Sequence, residues 1–206
     1  MNIDDKIAMV AAKNIPPRSV VNLGFGLPIL VAKYAKDVTL YGENGIIGYG
    51  TDDGTKDVCL TDGGTNWASR KNGMCFIDSA TSFAIARGGH LDVSILGAIQ
   101  VSENGDLASW SFGNGVGGIG GAADMSYGAK KLIAVMKHTD KNGHPKIVKK
   151  CIYPLTAIKC VNLIVTDMAV IEVNDELCVI ELCNGYTFDD IQKKTGVVLR
   201  NLTSRK

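Results

Sequence analysis

The sequence predicts an α/β fold, an open mixed β-sheet with flanking helices, in a single domain over residues 1–206. Three observations carry this. SVVNLGFGLPILVAKYA places a β-branched run, a glycine turn and an apolar helical segment in succession, the layout of an α/β unit. Helical and strand patterns interleave before about residue 90, and strands dominate after it. No linker composition or internal repeat divides the chain.

Each element has a local reason. Ile3, Ile7, Val10 and Ala11 fall on one face of a helix over 3–13, Asp4 and Asp5 suit its first turn, and Pro16-Pro17 ends it. SVVNL is a short strand, after which Pro28 serves as an early helical residue. TLYG is the next strand and runs into GENGIIGYG; residues 50–74 are polar, glycine-rich and weakly patterned, a surface excursion. CFID and SATSFAIAR read as strand and helix, the helix closed by Gly88-Gly89. LDVSILGAIQV reads as one central strand, KKLIAVMKHT and KIVKKCIYP as further strands, and DKNGHP as a turn. LIVTDMAVIEV and LCVIELC flank a hairpin turn at Asn174-Asp175, and TFDDIQKKT is a late helix.

Composition narrows the function classes. With 46% apolar and 21% charged residues the chain has the make-up of a soluble globular protein. A net charge of +1 with scattered Lys and Arg gives no nucleic-acid footprint. No segment reaches the ~20 apolar residues of a membrane helix, and the N-terminus lacks a signal-peptide pattern. The six cysteines show neither CxxC pairing nor histidines at metal spacing, so reduced, mostly buried thiols in a cytoplasmic protein and no metal site are expected. The 24 glycines cluster without period, in NLGFGLP, GENGIIGYGTDDG, ARGGH, ILGA and GNGVGGIGGAAD. Such turns let backbone N–H groups approach a phosphate or a developing oxyanion. The first of them lacks the GxGxxG spacing of a dinucleotide site.

Glu-Asn-Gly occurs twice, at 43–45 and 103–105. The second copy joins QVS and DLASW and reads as a tight hairpin with a solvated Glu103. The first follows a core strand and is flanked by glycine, so Glu43 is accessible yet rigidly mounted, as a carboxylate nucleophile must be. The spelling alone does not separate that role from a turn.

Taken in order, NLGFGLP, YGENGIIGYG, DSATSFAIARGGHLDVSILGAIQVSENGDLASW, GGIGGAADMSYGAKKLIAVMKHT and KIVKKC resemble the β-subunit of the family I CoA-transferases, the acetate, butyrate and 3-oxoacid (acetoacetate) enzymes. The resemblance is poorest over 50–74 and at the C-terminus. It implies a CoA-transferase-like fold, a partner α-subunit, acyl-CoA and short-chain carboxylates as substrates, and no tightly bound cofactor, CoA being a substrate. It places the nucleophile on Glu43. It implies a CoA path along Gly24, Phe25 and Gly26, with Asn44, Gly97, Gln100, Gly118, Gly120 and Gly121 as further substrate contacts, Gly120 or Gly121 nearest the thioester. The implied reaction is ping-pong, through a mixed anhydride and a glutamyl-CoA thioester. A sugar-phosphate isomerase or phosphosugar-binding module of similar fold is the alternative.

The other polar residues have plainer readings. His90 is expected to cap the preceding helix or make a buried hydrogen bond, His138 ends a strand, and His144 sits in a turn. Trp67 and Trp110 read as packing residues, Asp92 and Asp124 as loop-fixing groups, and Lys130 and Lys131 as solvated strand-end lysines.

Overall fold

The computed structural model describes residues 1–113, 115 and 117–203 of the chain. Helix α1 (Ile3–Lys13) starts where Asn2 accepts the Asp5 N–H at 2.7 Å, which satisfies one of the free donors of a helix start. It buries Ile7, Ala8, Val10 and Ala11. Strand β1 (Val20–Leu23) passes through Gly24-Phe25-Gly26 into a helix over Leu27–Lys33 that is 3₁₀ rather than α. At three residues per turn, Pro28 and Val31 share its buried face.

Strands β2 (Thr39–Tyr41) and β3 (Ile46–Ile47) form a hairpin. Strands β4 (Gly50–Thr51) and β5 (Ala68–Ser69) pair separately. Residues 50–74 are therefore not a simple surface excursion. Leu60 is 1% exposed and joins the main core with Ala68. Asp62 pins the loop by accepting the N–H groups of Gly64 at 2.8 Å and Asn66 at 2.9 Å. Isolated apolar residues among polar ones carry no period, so the sequence pattern does not reveal them. Strand β6 (Cys75–Phe76) is an exposed edge, and α2 (Ser79–Arg87) is capped by Asp78, which accepts the Thr81 N–H at 3.0 Å.

LDVSILGAIQV is two strands, not one. Strand β7 (Leu91–Gly97) lies in the main sheet, and β8 (Gln100–Ser102) in another. The chain changes sheets at Ala98-Ile99: Ala98 N–H still donates to Val135 O at 3.2 Å, whereas Ile99 N–H donates to Ala108 O at 2.8 Å. Strand β9 (Leu107–Ala108), helix α3 (Ala122–Gly128), β10 (Ala129–Val135) and the short β11 (Ile147–Val148) follow, and β11-β8-β9 form a small sheet. LIVTDMAVIEV also divides, into β12 (Leu163–Val165) and β13 (Ala169–Val173), antiparallel to each other. The Thr166 hydroxyl makes that reversal by accepting the N–H groups of Met168 at 3.1 Å and Ala169 at 3.0 Å. Strand β14 (Leu177–Leu182) completes the expected hairpin, α4 (Phe188–Lys193) begins in a Thr187/Asp190 capping box, and β15 (Arg200–Asn201) ends the sheet.

The main sheet runs β15-β14-β13-β12-β10-β7-β1-β2-β3-β6, with β12, β10, β7, β1 and β2 mutually parallel. Strand β7 alternates across it, Val93 and Ile95 packing in the core that holds α1 and Leu96 in the core of the opposite face. From β1 the chain goes first to β2 on one side, then to β7 on the other. The reversal of strand order between β1 and β7 is a topological switch point, where open α/β sheets leave a crevice beyond the carboxyl ends of the strands. Gly24 directly follows β1 and Gly97 ends β7, the two strands that flank it. All six cysteines are free, but only Cys178 and Cys183 are buried; Cys59 and Cys75 are exposed, against expectation. Among the described residues no helix is long and apolar enough to cross a membrane.

Candidate active site

The two Glu-Asn-Gly segments form one and the same turn. In the first, Gly42 N–H donates to Ile46 O at 2.8 Å and Gly45 N–H to Gly42 O at 2.9 Å, with Gly45 at φ +97°. In the second, Ser102 N–H donates to Asp106 O and Gly105 N–H to Ser102 O, both at 3.0 Å, with Gly105 at φ +79°. Each is a three-residue hairpin loop that ends on a left-handed glycine. Gly45 is required for a second reason: a Cβ there would overlap the carbonyl oxygen of Ile77.

What differs is the surroundings of the glutamate. Glu43 projects into a cavity of about 1340 Å³ that runs along the carboxyl edge of the parallel strands. Glu103 does not line it. Gly121, at the start of α3, faces Glu43 so closely that a Cβ would overlap the carboxylate, and a Cβ at Gly63 would lie 3.6 Å from its Cγ. Burial first, and the charge of Asp124 second, raise the pKa of Glu43 above its ordinary value. Asp124 is itself held by Arg87, whose Nε donates to it at 2.7 Å. A half-desolvated carboxylate set against glycine backbone has little hydration to shed before meeting an electrophilic carbonyl, and that backbone can supply N–H donors to the oxygen.

Most of the expected contact residues share this cavity. Gly24, Phe25, Gly97, Gln100, Gly118 and Gly120 line it, with Gly121. Gly24 packs against β7: its N–H donates to Ile95 O at 2.8 Å, and a Cβ would stand 2.8 Å from Leu96 Cδ2. Phe25 is 80% exposed at the mouth. The Gln100 side chain is committed to the backbone, its Oε1 accepting the Ile152 N–H at 2.9 Å. Gly26 and Asn44 are not in the wall. Gly26 turns the chain at φ +81°, and Asn44 Nδ2 donates to Thr61 O at 2.9 Å, tying the Glu43 turn to the 50–74 loop.

Other residues depart from their sequence readings. Trp110 is packed, donating from Nε1 to Leu155 O at 3.2 Å, yet it also lines the cavity, as do Phe112 and Ile119. These three stand outside regular strands and helices, where no periodicity singles them out. His90 is exposed, and it caps α2 only through its backbone N–H, which donates to Ile85 O at 3.3 Å. Lys130 is paired with Asp92 at 2.8 Å, and Asp92 also accepts the Val20 N–H at 2.9 Å, a structural role for both. Lys131 donates to Asn14 O at 3.2 Å rather than standing free.

Fold and site together define an open α/β protein that carries a candidate carboxylate nucleophile at its switch-point crevice. The coenzyme A transferase family model matches residues 5–194, and the chain belongs to that family, as a family I β-subunit. It is 43% identical to the B-subunit of the 3-oxoadipate CoA-transferase of Acinetobacter baylyi, over 97% of this chain and 95% of that one. It is 41% identical to the B-subunit of the succinyl-CoA:3-ketoacid coenzyme A transferase of Helicobacter pylori, over 90% of this chain and 92% of that one. Among solved structures, the acyl-CoA transferase YdiF of Escherichia coli O157:H7 superposes with a TM-score of 0.79 at 20% identity, over 98% of this chain and 43% of that longer one. Glutaconate coenzyme A-transferase of Acidaminococcus fermentans gives 0.72 at 18% identity, over 97% and 86%. At these identities the structural likeness speaks to the fold.

Proposed function

We propose that the chain is the nucleophile-bearing β-subunit of a heteromeric CoA-transferase, which moves CoA between an acyl-CoA and a carboxylic acid through a thioester on Glu43. The observation that carries this reading is the half-buried Glu43 carboxylate packed against Gly121 in a cavity large enough for an extended ligand. The Glu43 carboxylate attacks the thioester carbonyl, the C–S bond breaks, and CoA leaves as thiolate with a mixed anhydride behind it. The thiolate then attacks the glutamyl carbonyl of the anhydride, releasing the acid and forming glutamyl-CoA. An incoming carboxylate reverses both steps. Every leaving group departs as an anion, so no proton donor is needed. In this reading backbone N–H groups of the 118–121 run receive the oxyanion, and one such donor contributes about 3–4 kcal/mol in comparable sites.

The relatives' names, a 3-oxoadipate and a succinyl-CoA:3-ketoacid transferase, add 3-oxo and dicarboxylic acyl groups to the proposed acetate, butyrate and acetoacetate class. An α-subunit of related fold is the proposed partner, and Phe25 with the other exposed apolar residues at the cavity mouth suits burial by it. Without that partner the purified chain is expected to self-associate in sedimentation velocity; a stable, fully active monomer contradicts this. The test of the chemistry is intact-mass analysis of the chain copurified with its partner, after incubation with succinyl-CoA or acetoacetyl-CoA and no acceptor acid. A CoA adduct mapping to Glu43, absent from an assembled Glu43→Ala complex that has lost turnover, supports the reading. No adduct across several acyl-CoA donors overturns it.

A further inference from the structure

Two helices that border Glu43 are fixed against each other. At Gly128, the last residue of α3, a Cβ would overlap the Ala86 carbonyl of α2. Nearer Glu43, the point that a Gly121 Cβ would occupy is 2.9 Å from Glu43 Cδ and 3.0 Å from Phe83 Cε1, so the α2 ring and the carboxylate border one spot. A single side chain ties this corner together. The Arg87 guanidinium lies over the Phe83 ring, 5.5 Å from its centroid, and its Nε donates to Asp124 Oδ1 at 2.7 Å. Among the described residues the Asp124 carboxylate has no other side-chain partner. Neither Arg87 nor Asp124 lines the cavity, so neither is a substrate contact.

We propose that Arg87 is a positioning residue for the transfer reaction and acts through Asp124, the ion pair setting the charge that the Glu43 carboxylate faces. The proposal rests on the reading of Glu43 as the nucleophile. A carboxylate attacks as the anion, and a second carboxylate beside it opposes that state. Asp124 is such a neighbour: after burial, its charge is what raises the pKa of Glu43. Arg87 holds the compensating charge against it. The Arg87 side chain is 65% exposed and that of Asp124 28%, so water screens the pair and its effect is graded. The other titratable groups around Glu43 do not supply this charge. On β2, burial keeps the Tyr41 phenol above its ordinary pKa, hence neutral, and its hydroxyl donates to Ser82 O. In the 50–74 loop, Asp62 is turned onto the N–H groups of Gly64 and Asn66. On the helices, Asp78 caps α2, and the Tyr127 hydroxyl accepts the Ile158 N–H at 2.9 Å. Lys137, Lys141 and Lys146 share the cavity but follow β10, three strand positions from β2.

The experiment follows CoA-adduct formation on Glu43 in single turnovers of the copurified complex with saturating acetoacetyl-CoA, from about pH 5 to about 7.5. The rate rises with the ionised fraction of Glu43, so the midpoint of the profile reports that group. In Arg87→Gln the uncompensated Asp124 is expected to move the midpoint up, and the rate below the native midpoint to fall about threefold. In Asp124→Asn the Arg87 charge acts alone; the midpoint is expected to move down, and the same rate to rise about threefold. Arg87→Lys keeps the charge and should stay near the native profile, and the double Gln/Asn variant should return towards it. Arg200→Gln breaks an exposed pair with Glu176 at the opposite edge of the sheet and should move nothing. A merely structural role for the pair lowers the plateau in both single variants without separating their midpoints. Native midpoints in both, or shifts in one direction, overturn the proposal. Where Arg87→Gln does not assemble, the sign of the Asp124→Asn shift decides. A failure of the transferase reading is distinct, because the native complex then forms no adduct at any pH, and this proposal falls with it.

Discussion

Gly121→Ala tests the central geometry with one methyl group. Gly121 sits at φ −80° and ψ 0°, a conformation open to any L-residue, so the backbone is not strained by the change. The added Cβ would overlap the Glu43 carboxylate oxygen, stand 2.9 Å from its Cδ and 3.0 Å from Phe83 Cε1. Carbon–carbon contact is optimal near 3.5–4.0 Å, so the carboxylate must retreat by roughly 1 Å. A misplacement of that size costs about 10²-fold in rate, or about 2.7 kcal/mol of barrier. Phe83 is only partly buried and can give way, so stability should change by no more than about 1 kcal/mol. The assay is the rate of CoA-adduct formation on the assembled complex by quenched-flow mass spectrometry, with the melting temperature followed in parallel. Glu103→Gln in the second turn serves as the control and should react at the native rate. A Gly121→Ala complex that is folded, assembled and reacts at the native rate would refute the placement of the reactive carboxylate against Gly121.

Two further outcomes concern stability. Gly45→Ala places a side chain at φ +97° and against the Ile77 carbonyl, so it should destabilise the fold by at least about 1–3 kcal/mol in urea unfolding; a change within error would mean the turn relaxes freely. His138 is 1% exposed, its Nε2 2.9 Å from the Thr195 hydroxyl, which donates onward to Ile191 O at 2.8 Å, and burial lowers its pKa to about 4. Because the folded value lies below the unfolded one of about 6.5, the unfolded chain binds the extra proton in between. The His138 contribution is therefore complete above pH 6.5 and is lost as the pH falls towards 4, by up to about 3 kcal/mol. Unfolding free energies between pH 7.5 and 4.5 check this, and a profile identical to that of His138→Gln would remove His138 as the cause.

Local signals were enough wherever one residue and its near neighbours decide the conformation. The one-face apolar spacing of Ile3, Ile7, Val10 and Ala11 marks α1, Gly88 follows the last residue of α2, and the hairpin at 103–105 follows from Gly105 at the left-handed position. The ordered motifs likewise carried the family, because long segments at preserved spacing are specific where one glycine turn is not. Local signals failed where distant partners decide. LDVSILGAIQV is uniformly apolar, so nothing within it marks Ala98-Ile99 as the point where hydrogen bonds pass from Val135 to Ala108. Leu60 is buried because the β1 side of the sheet receives it, not because of its polar neighbours. Lys137, Lys141 and Lys146 come to line one cavity with Glu43 only because the sheet brings distant segments to a common edge.

The two Glu-Asn-Gly copies mark the division most plainly. Sequence alone was enough to read the second copy as a hairpin turn, because backbone conformation there depends on a glycine and on the strands beside it; it left the first copy between a turn and a nucleophile. Only the tertiary structure decided which glutamate is held in a cavity. Glu43 is enclosed by Gly63 and Gly121, which are remote from it along the chain, and desolvation depends on such distant neighbours rather than on the spelling of three residues.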